Sequence, residues 1–156
     1  PPHITLAATY QLLGRMDDAL AEYIAASEMM NNPSPQLMRN IIYLLTQEKR
    51  YREVVNTTEQ LVRVDPTSIS YEQLGWAQFR LGDYSASSEA YKVAVEFDEE
   101  NWRAMNGIGV NALNAWLLGE RNNINAYEDA RGAFRRSLAL NQDQPKVITL
   151  VLRYGL

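Results

Sequence analysis

The sequence predicts an all-α fold: four repeated pairs of helices followed by one more helix. Three observations carry this. Apolar Leu6, Ile41, Leu74 and Ile108 recur at steps of 35, 33 and 34 residues. Ala19, Val54 and Ser87 keep the first two of those steps, as do Tyr23, Thr58 and Tyr91, and Ala26, Leu61 and Ala94. Independent positions in one register mark an internal repeat. Within each unit the apolar spacing is helical, and turn residues fall between the two helical stretches.

The units follow in order within one domain, 1–156. The first, about 1–33, reads "LAATYQLLGRMDDALAEYIAA", with Gly14 at its turn. Pro1-Pro2 stands at the start of its first helix without a cap signal. The second, about 34–67, opens at Ser34-Pro35, a cap residue followed by proline at a first helical position. Lys49-Arg50 marks its turn and Asp65-Pro66 its end. In the third, about 68–100, Leu74, Gly75, Gln78 and Leu81 share one helical face, and Tyr84, Ser87, Ala90, Tyr91 and Ala94 share the next. Gly82 stops the first of these helices and Asp83 caps the second. The fourth, about 101–142, starts on time with Met105, Ile108, Gly109 and Ala112. Its second helix comes late, because Ala130 lies 43 residues after Ser87. An insertion near 117–125 accounts for the delay: Trp116 continues the buried spacing to about Leu118, and a loop over 119–125 forms a lip beside the binding face. Pro145 then opens a closing helix, about 145–154, "KVITLVLRY".

These units resemble tetratricopeptide repeats. Tyr71, Leu74, Gly75, Ser87, Tyr91 and Ala94 fill the family's slots in the third unit, and Pro66 closes the second. Ile42, Thr58 and Gln78 depart from the pattern. The resemblance reaches to about Gln142 and implies a right-handed α-solenoid whose first helices line a concave groove. It makes Gly75 a point of close helix approach. One sub-type of the family clamps C-terminal carboxylates; of its five matching positions here (Ile4, Ala8, Asn40, Ile69, Gln73), only Asn40 fits, so that activity is not expected.

On a groove-facing reading, Ile69, Glu72, Trp76, Phe79 and Arg80 form one stripe, opposite the Leu74–Gln78 face. Arg39 and Tyr43 hold the equivalent places in the second unit, and Arg103, Val110 and Leu113 in the fourth. The expected floor is Tyr43, Trp76, Phe79, Val110 and Leu113, with Arg39, Arg80 and Arg103 beside it to pair acidic groups and Glu72 on the same stripe. The bland alternative is that Trp76 and Phe79 only fill space between neighbouring helices.

Composition narrows the function. A net charge of −4 disfavours nucleic acid, which needs a basic surface. No apolar run approaches a membrane span of roughly 20 residues. With no cysteine and one histidine, His3 near the terminus, no metal site or thiol nucleophile is expected. The acidic pair at 17–18 and the acidic triplet at 98–100 suit helix starts. Gly107-Ile108-Gly109 lacks the third glycine and preceding strand of a phosphate loop. The expected protein is a non-enzymatic adaptor without cofactor, binding a peptide or helix of a partner protein. A self-associating scaffold is the second reading, because the closing helix leaves Leu150, Leu152 and Tyr154 off its docking face, allowing a homo-oligomer through the terminal helices. An RNA-binding helical repeat ranks third. A cytoplasmic location is expected, with the periplasm as the alternative.

Overall fold

The computed structural model describes residues 2–156. Every regular element among them is a helix: α1 (Pro2–Leu12), α2 (Met16–Glu28), α3 (Pro35–Gln47), α4 (Tyr51–Val64), α5 (Ser68–Leu81), α6 (Tyr84–Phe97), α7 (Trp102–Leu118), α8 (Ile124–Leu140) and α9 (Pro145–Tyr154). Pro2 begins α1, and Pro1 lies outside the described residues.

One turn closes all four helix pairs. In each, a residue with positive φ (Gly14, Lys49, Gly82, Glu120) precedes a residue whose N–H reaches the carbonyl five positions back. Those bonds are Arg15 to Tyr10, Arg50 to Leu45, Asp83 to Gln78 and Arg121 to Trp116, each 2.9–3.0 Å. This Schellman geometry satisfies carbonyls that a helix end leaves open. Lys49 and Glu120 hold by this bonding a conformation that glycine adopts freely. Side-chain caps start the helices: Ser34 Oγ accepts from Leu37 N–H, Thr67 Oγ1 from Ser70, Asp83 Oδ1 from Ala86, Asn101 Oδ1 from Ala104, and Asn123 Oδ1 from Ala126.

The helices fall into two compact units, Pro1–Pro66 and Thr67–Leu156, each considered by itself. In the first, Ala19, Leu20, Tyr23, Ile41, Leu44, Val54 and Leu61 are buried. Thr58, in the aromatic slot, is fully buried and returns its hydroxyl to Val54 O at 2.6 Å, which removes the cost of an unpaired group. Leu6 keeps its repeat position but stays exposed, because α1 packs chiefly on α2 and turns Ala7 inward. His3 hydrogen-bonds Glu22 at 2.6 Å, which ties α1 to α2.

In the second unit α6 lies against both α5 and α7, and the key is Tyr91. A Cβ placed on Gly75 of α5 would meet the Tyr91 ring at 2.9 Å, and one on Gly107 of α7 would meet it at 2.3 Å. Two glycines, one on each neighbouring helix, therefore make room for one aromatic ring. Gly109 does the same for Phe134 of α8, at 2.7 Å. Below the ring runs a buried polar chain: Asn111 Nδ2 donates to Ser87 Oγ, which donates to Gly75 O.

Two sequence expectations change here. Helix α7 does extend to Leu118, but the loop ends at Asn123, and Asn125 lies inside α8. Both helices are three residues longer than α5 and α6, so most of the insertion is helix. The extension builds an aromatic cluster of Trp116 with Tyr127 (5.2 Å) and Tyr154 (6.2 Å) against α9, with Trp116 Nε1 donating to Arg121 O. The second change concerns α9. Leu150 and Tyr154 pack on the core with Val147 and Val151, and Leu156 folds back into it. Ile148 and Leu152 are the large apolar side chains of α9 left exposed.

The wedge makes a contrast measurable. Gly107→Ala should destabilise by about 1–3 kcal/mol through overpacking against Tyr91. Gly132→Ala, in open space on α8, should stabilise by roughly 0.5–1 kcal/mol from helix propensity alone. Urea unfolding of both variants checks this; stabilisation by Gly107→Ala would contradict the packing.

Candidate functional site

Helix α5 starts at its Thr67 cap and stops at Gly82, where φ is +91°. Between those ends Leu74, Gly75, Ala77 and Gln78 are buried, while Trp76 and Phe79 are half-buried and Arg80 is exposed. Helix α7 faces it with Arg103, Asn106, Gly107 and Val110. Because glycine at 107 lets α6 push its aromatic ring between α5 and α7, Tyr91 enters the floor. The result is a pocket of about 270 Å³ lined by these α7 residues with Trp76, Phe79, Arg80 and Tyr91. A second pocket of about 270 Å³ adjoins it, lined by Glu72, Gln73, Trp76, Tyr91 and Arg103. Trp76, Tyr91 and Arg103 form the wall they share.

Charge on this face is ordered. The Arg80 guanidinium lies 5.7 Å from the Trp76 ring centre, and Arg103 lies 4.5 Å from that of Trp102. Both are within cation–π range. Glu72 accepts from Asn101 Nδ2 at 3.0 Å, and the same amide donates to Ser68 Oγ at 2.8 Å. Asn101 also caps α7, so one residue fixes both the start of α7 and the Glu72 carboxylate. Burial, reinforced by the negative charge of Glu72, pushes the Tyr91 phenol well above its ordinary value of 10.0. Gln73 Oε1 is buried without a hydrogen-bond partner among the described residues.

Of the stripe expected from sequence, the structure brings Glu72, Trp76, Phe79, Arg80, Arg103 and Val110 together on these two pockets. Leu113 is a correction. It is 4% exposed and belongs to the core with Phe134, Val147 and Leu156, because α9 folds back onto that part of the unit. Arg39 and Tyr43 lie in the first unit. Tyr43 is 52% exposed, but Arg39 is already paired with Asp65, the residue before the closing Pro66. Tyr91 and Gly107 were missed as lining residues. The signal for them was present: a glycine on α7 facing the aromatic slot of α6, just as Gly75 faces it from α5.

Among the described residues no three His, Asp or Glu side chains are grouped to hold a metal ion, and no helix is long and apolar enough to cross a membrane. Residues 69–101 match the tetratricopeptide-repeat family model, so the match spans α5, α6 and the turn into α7. Heat shock protein STI1 of Saccharomyces cerevisiae is 30% identical over 93 residues, which are 59% of this chain and 16% of that protein. The chain therefore matches only a small part of that relative's length. Among solved structures, a crystal structure of MamA superposes with a TM-score of 0.74 over 92% of this chain and 79% of the other, at 16% identity. MamA 41-end from Desulfovibrio magneticus RS-1 gives 0.74 over 92% and 76%, at 18% identity. Those two likenesses are of fold. Residues 69–101 thus match one tetratricopeptide repeat, and the other helix pairs share its two-helix form and closing turn.

The state of Tyr91 can be tested by pH. The folded phenol ionises above its unfolded value near 10.0, so the stability tied to it is complete below that pH and falls as pH rises further. Tyr91→Phe removes this dependence. Urea unfolding at about pH 8 and about pH 11 should show the variant gaining on the parent at the higher pH. Equal losses in both proteins would mean that the Tyr91 ring is not shielded.

Proposed function

We propose that the second unit is a receptor for a segment of a partner protein, held on the α5–α7 face. Support comes chiefly from one observation: Trp76 and Phe79 of α5 and Val110 of α7 surround one open pocket whose rim carries Arg80 and Arg103. An apolar side chain of the partner enters between the aromatic rings, and acidic groups beside it pair with the guanidinium groups. Aromatic and arginine side chains at the centre of a concave surface are the usual carriers of binding energy. Arginine also offers forked donors suited to carboxylates. The buried network beneath, from Asn111 through Ser87 to the Gly75 carbonyl, supports α5 from below. The face therefore needs little rearrangement on binding, which limits the entropy cost.

The nature of the face predicts how substitutions divide. Peptides selected from a displayed random library on the intact chain should lose about 2 kcal/mol of affinity, roughly 30-fold, on Trp76→Ala or Phe79→Ala. Both variants should unfold close to the parent. Leu74→Ala, 7% exposed in the core, should instead lose roughly 2–5 kcal/mol of stability. Calorimetric titration and urea unfolding read the two effects separately. A Trp76→Ala protein that melts as early as Leu74→Ala and binds every selected peptide unchanged would assign Trp76 to the core.

A further inference from the structure

We infer that the pocket beside the aromatic one takes a cationic side chain, so that the ligand is an extended segment with lysine or arginine two residues from its apolar anchor. This rests on the receptor reading above and adds a charge order to it. The two pockets differ in chemistry although they share a wall. Both include Arg103; the first adds Phe79, Val110 and a second cation, Arg80, whereas the other adds the Glu72 carboxylate and the Gln73 amide. Asn101 positions Glu72 through a neutral amide and so leaves its negative charge uncompensated by that contact. The Gln73 side chain lines the same pocket beside Glu72. Arg103, on the shared wall, lies over the Trp102 ring.

The spacing suits an extended ligand. The α5 residues of the two pockets, 72–76 and 76–80, are centred four to five positions apart. That is roughly 6–7 Å at a rise of 1.5 Å per residue. Side chains i and i+2 of an extended chain leave the same face roughly 6.6–6.8 Å apart. One extended segment thus fills both pockets with alternate side chains, and the residue between them points away.

The test uses the intact chain and the capped peptide Gly-Ser-Lys-Pro-Leu-Glu-Ser-Gly, in which the central proline excludes a helix. Its reversed sequence and both peptides with lysine replaced by norleucine complete the set. We expect one lysine peptide to bind about fivefold tighter than its norleucine form, the scale of a partly exposed ion pair. Glu72→Gln, which can keep an acceptor for Asn101, should bring the ratio of lysine to norleucine affinity close to one. A preference near one in both directions, or one that survives Glu72→Gln, overturns the cationic pocket. Trp76→Ala separates the two levels: if it weakens all bound peptides alike while the lysine preference is absent, the receptor face stands and only the charge order fails. Unchanged binding by Trp76→Ala removes the receptor reading itself, and no binding by any of the four peptides overturns both.

Discussion

One aromatic ring between two glycines sets the geometry on which the second unit depends. Tyr91 projects from α6 into space that a Cβ on Gly75 or Gly107 would occupy. The ring can be there only if both neighbouring helices lack a side chain at that level. With the ring in place, α5 and α7 both pack closely against it. The same contact explains the pocket, since Tyr91 lines both of its halves. Packing at this density tolerates little change in volume. The core contact therefore also lines the two α5–α7 pockets.

Around that contact the polar groups hold helices together. Ser87 occupies the small slot of the repeat and passes a hydrogen bond from Asn111 of α7 to the Gly75 carbonyl of α5. Gln144, before α9, donates to Ser137 Oγ and accepts from Asn106 Nδ2, which joins α7 and α8 to the start of the last helix. Asn101 caps α7 and fixes Glu72 at once. Asn101, Asn111 and Gln144 each join two or more elements, which stiffens the packing of α5, α6, α7 and α8. Residues with exposed side chains, Arg80 and Arg103, are held on aromatic rings instead.

Much of this was legible in the sequence because the repeat fixes residues by slot. Gly75, Ser87, Tyr91 and Ala94 stand where the spacing puts them, and Ser34, Asp83 and Gly82 cap as their chemistry requires. Six of the stripe residues meet on one face because a helix keeps its period whatever packs against it. What failed to read depended on distant chain. Leu113 has the spacing of a groove residue, but α9 returns to bury it. Arg39 pairs with Asp65 26 residues away, and no local pattern records that. Leu150 and Tyr154 looked unsupported on α9 until the longer α7 and α8 brought Trp116 and Tyr127 to meet them. Lys49 and Glu120 turn with positive φ where the first and third units use glycine, because the hydrogen bonds from Arg50 to Leu45 and from Arg121 to Trp116 close those turns.

The central claim is that the Tyr91 ring sits against both glycine backbones, and proton NMR tests it without altering the protein. In a nuclear Overhauser spectrum of the intact chain, the Tyr91 ring protons should give strong cross-peaks to the α-protons of Gly75 and of Gly107 together. Cross-peaks to one glycine alone, or to neither, would mean that α5 and α7 are not seated on a common ring, and the account of the pocket would fall with it.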